Sequence, residues 1–245
     1  MCPLLSREVL VPADPARDVL EVLRLRFGLP AGAKPEAAPA HVKVRAPDAP
    51  GQGGRVRAFS MLLGADGKSA LAFNLTVKVY PGGPPHSRGT SAHLGSLRVG
   101  DSVHVPQTRG LRWVAPPAHV KRAGFVAFGV GIAECLEPME ELLHGGAEVR
   151  LLYASRDRAS VVHMAELSAL LAAHPTLHVH HFLSRQPEHE EAGECAARER
   201  FTLRRIDEAA VADEFADWAG SKPRFLVTSR APPSPPCCAT CSREV

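Results

Sequence analysis

The sequence predicts two domains in succession, an antiparallel β-barrel followed by an α/β domain with a parallel sheet. Three observations predict it. Residues 7–118 hold about six short strand-like runs parted by Gly- and Pro-rich turns, the pattern of a small barrel. From about residue 120 onward, strand-like runs alternate with amphipathic helical stretches, which calls for a parallel sheet with crossover helices. Between the two lies Ala115-Pro116-Pro117, a natural linker. The domains are expected over 1–118 and 119–233, with a tail over 234–245. That tail belongs to a Pro- and Cys-rich stretch from Ala231 that reads as disordered.

Each element has its own warrant. Val9-Leu10-Val11 opens the series, and Leu23, Leu25 and Phe27 then alternate with Arg24 and Arg26, as on a half-buried strand. Gly28 to Gly32 is a turn and 33–40 an Ala/Pro-rich loop. His41 to Arg45 alternates again, and Pro47 to Gly54 is a loop. Arg55 to Leu63 and Ser69 to Tyr80 read as two strands of a hairpin, joined through Gly64-Ala65-Asp66-Gly67. Asp101 to Val105 is a further strand.

In the second part, strands are expected at 124–128, 148–153, 177–183 and 224–228, and helices at 132–144, 160–173 and 207–218. Ile132, Leu136, Met139 and Leu143 recur at helical spacing. The helix at 160–173 should bury Val161, Met164, Leu167, Leu170 and Leu171. Residues 186–199, with Glu188, Glu190, Glu191 and Glu194, read as a solvated loop.

Composition narrows the function. The chain has 245 residues, 45% hydrophobic and 22% charged, as in an ordinary globular protein. A formal net charge of +3 is too small to argue for nucleic acid. No stretch approaches the roughly 18 apolar residues of a membrane span. The opening Met1-Cys2-Pro3-Leu4-Leu5-Ser6-Arg7-Glu8 lacks a basic flank followed by an apolar core, so no secretory signal is expected. Cys2, Cys135 and Cys195 show neither metal-ligand nor disulfide spacing. Cys237, Cys238 and Cys241 sit in the tail with no fourth ligand in reach, so no metal is expected. His178, His180 and His181 share a strand without an evident acid partner and read as structural. A reducing compartment follows, the cytoplasm first and the mitochondrion as the alternative. A monomer is expected.

Four short segments carry chemistry. Arg57-Ala58-Phe59-Ser60 lies on a strand: a guanidinium pairs with phosphate, a ring covers a flat apolar ligand, and a hydroxyl donates to a ring nitrogen. Leu75-Thr76-Val77-Lys78-Val79-Tyr80 follows on the next strand. Gly89-Thr90-Ser91 precedes Leu97 and the turn at Gly100-Asp101. Gly129-Val130-Gly131 links a buried strand to a helix, where glycines admit close backbone approach and free N–H groups face an anion.

In this order, the segments resemble those of the ferredoxin–NADP reductase superfamily, and of its NADH-cytochrome-b5-reductase-like members in particular. The resemblance spans about residues 7–233. It implies an FAD-binding antiparallel barrel and a Rossmann-like NAD(P)-binding domain. By the family's motif, Arg57 meets the FAD pyrophosphate, Phe59 packs on the flavin and Ser60 lies near flavin N5. Ala58, Thr76, Val77, Lys78 and Tyr80 line the flavin site, with Ser60 and Lys78 tuning its reactivity. By the same resemblance, Gly89, Thr90 and Ser91 open a short helix onto the FAD phosphates, with His93 read as a surface histidine of that helix.

The family's Gly-Gly-Thr-Gly-Ile-x-Pro corresponds to Phe128-Gly129-Val130-Gly131-Ile132-Ala133-Glu134, so Gly129, Val130, Gly131 and Ile132 are expected on the nicotinamide nucleotide. Phe128, Val130 and Glu134 replace the first Gly, the Thr and the Pro. Ser184-Arg185 matches a pair that meets the 2′-phosphate of NADP in some relatives. A solvated strand end is the other reading of Arg185, and NADH against NADPH stays open. Ser229 stands near the family's Cys-Gly-Pro-Pro, with the Gly missing.

The resemblance implies an NAD(P)H-dependent flavoprotein oxidoreductase. Hydride passes from nicotinamide to flavin, and electrons then go to an acceptor protein or small acceptor. The altered glycine turn and the missing Cys-Gly keep one alternative in view, a non-catalytic binding or scaffold protein on the same fold.

Overall fold

The computed structural model describes residues 1–29, 41–46, 56–63, 72–80, 89–105, 119–185 and 198–228. The chain divides into two compact units, Met1–Val114 and Ala115–Val245. The turn at Gly64–Gly67, the loops at 33–40 and 47–54, the Ala115–Pro117 linker, residues 186–197 and everything from Ser229 onward lie outside the described residues. No described helix is long and apolar enough to cross a membrane.

The first unit is one antiparallel sheet, curled into a half-barrel. Its strands are β1 (Cys2–Val11), β2 (Val22–Gly28), β3 (His41–Arg45), β4 (Val56–Leu63), β5 (Ala72–Lys78) and β6 (Ser102–Val103), in the order β3-β4-β5-β2-β1-β6. Residues directly opposite one another across a ladder share a face. The β2–β5 register sets Leu23 opposite Val77, Leu25 opposite Leu75 and Phe27 opposite Phe73. All six are buried, with the Phe27 and Phe73 rings stacked at 5.6 Å. Val42 and Val44 of β3 and Leu94 of the short helix α1 (Thr90–Ser96) complete the core. The strand expected over Asp101–Val105 shrinks to the two residues of β6, which pair only with Cys2 and Pro3 of β1.

The second unit is a parallel sheet with helices on both faces. Its strands are β7 (Arg122–Phe128), β8 (Glu148–Ser155), β9 (Leu177–Leu183), β10 (Glu199–Thr202) and β11 (Arg224–Val227), in the order β10-β9-β8-β7-β11. Helix α2 (Ala133–His144) follows a single 3-10 turn over Gly129–Ile132. Its expected apolar positions Ile132, Leu136, Met139 and Leu143 are all buried. Helix α3 spans Met164–Ala173 rather than 160–173. His163 has φ +60° and breaks the helical path, so Val161 is buried ahead of the helix. Of the other positions expected inside α3, Leu167 and Leu171 are buried, while Met164 and Leu170 are only half-buried.

Two expectations are corrected here. Glu199 does not end a solvated loop, because it starts β10, and its carboxylate accepts from Nε2 of the fully buried His181 at 2.9 Å. His180 also has an acid partner after all. Its Nδ1 lies 3.0 Å from Glu214 Oε2 on α4 (Glu208–Phe215), and its Nε2 lies 2.8 Å from Thr202 Oγ1. These acids are remote in sequence, so a strand-only pattern could not reveal them.

Helix α4 sits on the sheet through charge as well as apolar contact. Arg150 of β8 donates to both carboxylate oxygens of Asp217, at 2.6 and 2.7 Å, and to the Glu214 carbonyl at 2.6 Å. It also donates to Glu148 at 2.7 Å. Burial works against ionisation of Glu148, but hydrogen bonds from Arg150 and Trp218 outweigh it and leave its carboxyl below the usual range. Glu214 behaves alike: burial is outweighed by His180 and Arg200. A carboxyl with a depressed folded pKa adds stability that is present above its unfolded pKa and is lost as pH falls through the folded one. The second unit is therefore expected to lose stability in acid, below about pH 4.5 where free Glu carboxyls titrate. Urea unfolding at pH 7, 5 and 3.5 checks this. Arg150→Met should flatten that dependence.

Candidate functional site

In the first unit the site is a fork in the sheet. The β4–β5 ladder runs through Leu63↔Phe73, Leu62↔Asn74 and Met61↔Leu75, and ends there. Beyond that point β4 continues on β3, from Ser60↔His41 to Val56↔Arg45. Meanwhile β5 continues on β2, from Thr76↔Arg24 to Lys78↔Val22. The two arms of the fork are thus Arg57, Ala58, Phe59 and Ser60 on one side and Thr76, Val77 and Lys78 on the other. These are the residues expected at a flavin. A sheet that opens between two neighbouring strands leaves their facing main-chain edges for a flat ligand.

Not every expected residue shares one face. Arg57 lies opposite Val44 and Phe59 opposite Val42, so both stand on the core side of β4. Arg57 is exposed at the rim, while Phe59 is half-buried against the barrel core. Ala58 and Ser60 stand on the other face. Strand alternation from Leu62↔Asn74 puts Ser60 on the face of Asn74, Thr76 and Lys78. Arg24 and Arg26, opposite Thr76 and Asn74, belong to that face too. It is polar and sheltered: Asn74 and Thr76 are each only 9% exposed.

At the end of β5 the Tyr80 amide donates to Ser91 Oγ at 3.5 Å, which brings two expected residues together. A Cβ on Gly95 would come within 2.8 Å of Val79, so the absence of a side chain there lets α1 close on this end of the strand. Gly89 caps α1 without a side-chain bond. Thr90 is 2% exposed, so its side chain packs inward instead of facing a phosphate. The half-buried His93 has its pKa lowered by burial, partly offset by Asp101.

In the second unit the site lies at the carboxyl ends of the strands. The chain steps outward from β7 to β10, then returns to the far side of β7 as β11. The order therefore reverses between β7 and β11, and ligands of open parallel sheets bind at such a switch point. Gly129, Val130, Gly131 and Ile132 form the turn at this position. Gly129 takes φ +52°, and a Cβ there would meet nothing within 4 Å, so the turn is open on that side. Gly131 is closed by its own protein: a Cβ would fall 2.6 Å from Thr228 Oγ1 at the end of β11. Phe128 projects beside the turn, 38% exposed.

Beneath the turn, the fully buried Tyr153 donates to the Gly129 carbonyl at 3.0 Å. The buried Cys135 thiol approaches the Gly131 carbonyl at 3.9 Å. Burial, with a further push from Glu134, drives the Cys135 pKa far up, so it stays a neutral thiol and offers no nucleophile. At the ends of β8 and β9, the Arg185 amide donates to the Arg156 carbonyl at 2.7 Å, and the Arg185 side chain is exposed. Asp157 is buried, its carboxylate spent on Ser160 N and Oγ at 2.9 and 2.7 Å. Among the described residues there is no cluster of His, Cys, Asp and Glu fit to hold a metal.

Sequence reasoning missed Thr228 and Tyr153. Thr228 directly follows β11, and only the sheet order shows that this strand lies beside β7. Tyr153 lies in an apolar strand, where a hydroxyl gives no periodic signal.

No family model matches the chain. It is 30% identical over 120 residues to NADH-cytochrome b5 reductase 1 of Pyricularia oryzae, covering 47% of this chain and 37% of that protein. It is 32% identical over 119 residues to the NADH nitrate reductase of Ulva prolifera, covering 42% of this chain and 14% of that one. The matches thus span less than half the length of these relatives. Among solved structures, the cytochrome b5 reductase domain of Ulva prolifera nitrate reductase superposes with a TM-score of 0.68 at 22% identity, over 95% of this chain and 86% of that one. Ferredoxin–NADP+ reductase from Plasmodium falciparum with 2′P-AMP superposes with a TM-score of 0.61 at 13% identity, over 92% and 85%. The chain has the two-domain fold of the ferredoxin–NADP reductase superfamily and is similar in sequence to NADH-cytochrome b5 reductases.

Proposed function

We propose that the chain is an NAD(P)H-dependent flavoprotein oxidoreductase that holds FAD on its first unit and a nicotinamide nucleotide on its second. The observation that carries this reading is the fork between β4 and β5, whose arms bear the very residues that the family's motifs assign to flavin. The donor set suits the group. Ser60 and Thr76 supply hydroxyls, Lys78 a cation, and the diverging strands main-chain donors and acceptors. Arg57, exposed at the rim, is suited to a pyrophosphate, with Gly89 and Ser91 at the start of α1 beyond Tyr80. Phe59 gives apolar cover, Ala58 leaves room, and Val77 anchors this stretch of β5 from the core side. Thr90 supports α1 from inside.

On the second unit, the Val130 amide at the start of the turn faces the nucleotide's phosphates, Gly129 keeps the approach open, and Gly131 and Ile132 hold the shape of the turn. Arg185 beside Arg156 offers charge for the adenosine end, and for a 2′-phosphate where the reductant is NADPH. When bound, the flavin accepts a hydride at N5 and passes electrons on. The chain's own residues bind, orient and exclude water, and none acts as a nucleophile. An acceptor protein or small acceptor takes the electrons.

The test is a visible spectrum of the full chain after incubation with FAD and removal of the excess. Retained flavin bands that bleach on adding NADH or NADPH are expected. Lys78→Met and Ser60→Ala should each weaken FAD retention, by about tenfold for the lysine. Colourless protein would overturn the proposal in favour of a scaffold on the same fold. Yellow protein that no nicotinamide bleaches would leave a flavin binder and remove the second unit's assigned role.

A further inference from the structure

We propose that Tyr153 is a positioning residue: its hydroxyl holds the Gly129 carbonyl inward and thereby aims the Val130 N–H outward at a ligand phosphate. This rests on the nucleotide reading of the second unit and adds a residue to it.

The argument begins with a hydroxyl that packing does not need. Tyr153 lies in the middle of a buried parallel sheet, between Ala127 of β7 and His181 of β9, and is fully buried. A phenylalanine would fill nearly the same space. A buried hydroxyl is costly unless it is bonded. Two contacts of the Tyr153 hydroxyl reach outside its own strand, and Ser155 of the same strand also interacts with it. It donates to the Gly129 carbonyl at 3.0 Å and accepts from the Val162 amide at 3.3 Å. The Val162 carbonyl at 3.5 Å is the poorer alternative for its single proton.

The consequence follows from peptide geometry. In a planar trans peptide, C=O and N–H point to opposite sides. With the Gly129 oxygen drawn toward Tyr153, the Val130 N–H of the same peptide points away from the sheet interior. Gly129, at φ +52°, has no side chain to resist rotation of that peptide. A flipped peptide would turn a carbonyl oxygen toward the phosphate, which repels it. The Gly129 carbonyl also accepts from the Ile132 amide of its own 3-10 turn, and Tyr153 adds the buried side-chain bond that keeps the same pole of the peptide inward. Cys135 approaches the next such oxygen, of Gly131, only at 3.9 Å.

The test uses the full chain with ADP-ribose, which carries the pyrophosphate, and with adenosine, which carries no phosphate. Tyr153→Phe is expected to weaken ADP-ribose about ten- to hundredfold, the worth of one charge-assisted hydrogen bond, and to leave adenosine unchanged. A general loosening of the fold would weaken both, and that result overturns the proposal. So does an unchanged affinity for ADP-ribose. A second measurement needs no variant: in the 15N–1H spectrum of the wild-type chain, the Val130 amide should shift strongly on adding ADP-ribose. Binding without that shift also overturns the proposal. If the wild-type chain binds no ADP-ribose at all, the nucleotide reading itself fails, and the assignment of Tyr153 falls with it.

Discussion

Replacing Trp218 with Ala is expected to cost the second unit about 3–5 kcal/mol, the range for deleting a large buried aromatic. Trp218 is 2% exposed in the 3-10 turn that extends α4. Its ring packs against Phe215 at 5.0 Å and faces Phe225 of β11 at 6.5 Å. Its Nε1 donates to Glu148 at 3.2 Å, and the Arg150 guanidinium lies 4.7 Å over the ring. One side chain therefore joins α4, β8 and β11. The alanine variant leaves a cavity, a Glu148 carboxylate with one donor fewer and an Arg150 without its aromatic lid. Its effect should reach past the local void, because Phe225 is seated over Gly124 of β7. A Cβ on Gly124 would come 2.4 Å from that ring, so glycine is what lets the edge strand lie this close.

With typical domain stabilities of about 5–15 kcal/mol, the variant should sit near the unfolding threshold at 37 °C. Urea unfolding followed by circular dichroism checks it. Trp218→Phe keeps the ring, loses the Glu148 bond, and should cost about 1–2 kcal/mol. If Ala and Phe prove equally mild, the ring does not hold α4 in place, and the charged contacts of Arg150 carry the helix.

Much of the architecture was legible because burial imposes period two on strands and about 3.6 on helices. β3 and β9 fall on their expected bounds, and Leu23, Leu25 and Phe27 are all in the core. What stayed hidden was chemistry carried across the sheet. The acid partners of His180 and His181 come from α4 and β10, far along the chain. The start of α3 was misplaced because His163 takes a left-handed conformation, which glycine signals in sequence and histidine does not. At the first candidate site, motif spacing picked out two strands that part from each other beyond Met61↔Leu75. It could not show which of Arg57 and Ser60 stands on the core side, since that depends on the register with β3. At the second, the strand–turn–helix was plain in Gly129 to Leu136. The closure of that turn by Thr228 depends on the return of β11 beside β7, which only topology supplies.

That closure makes Gly131→Ala the substitution with the largest expected effect on ligand binding. The added Cβ would lie 2.6 Å from Thr228 Oγ1 and 3.1 Å from Thr228 Cβ. Thr228 has little freedom to yield. It is buried, its amide donates to the Val126 carbonyl at 2.9 Å, and its hydroxyl leans on the same oxygen at 3.5 Å. The strain must therefore move the turn, the end of β11 or both, at a cost of about 1–3 kcal/mol. Because the turn's Val130 amide faces the phosphates in the proposed site, ADP-ribose affinity should fall about tenfold or more, equivalent to ~1.4 kcal/mol. Gly129→Ala is the contrasting case: it meets open space, and its only penalty is the left-handed φ of +52°, about 1–2 kcal/mol in stability. Adding Thr228→Ala to Gly131→Ala removes the 2.6 Å contact and should restore part of the lost affinity. Calorimetric titration of the two single variants and the double variant with ADP-ribose reads all three. No recovery in the double variant would mean that Gly131 is required for close approach of the ligand itself, and not for the seating of β11.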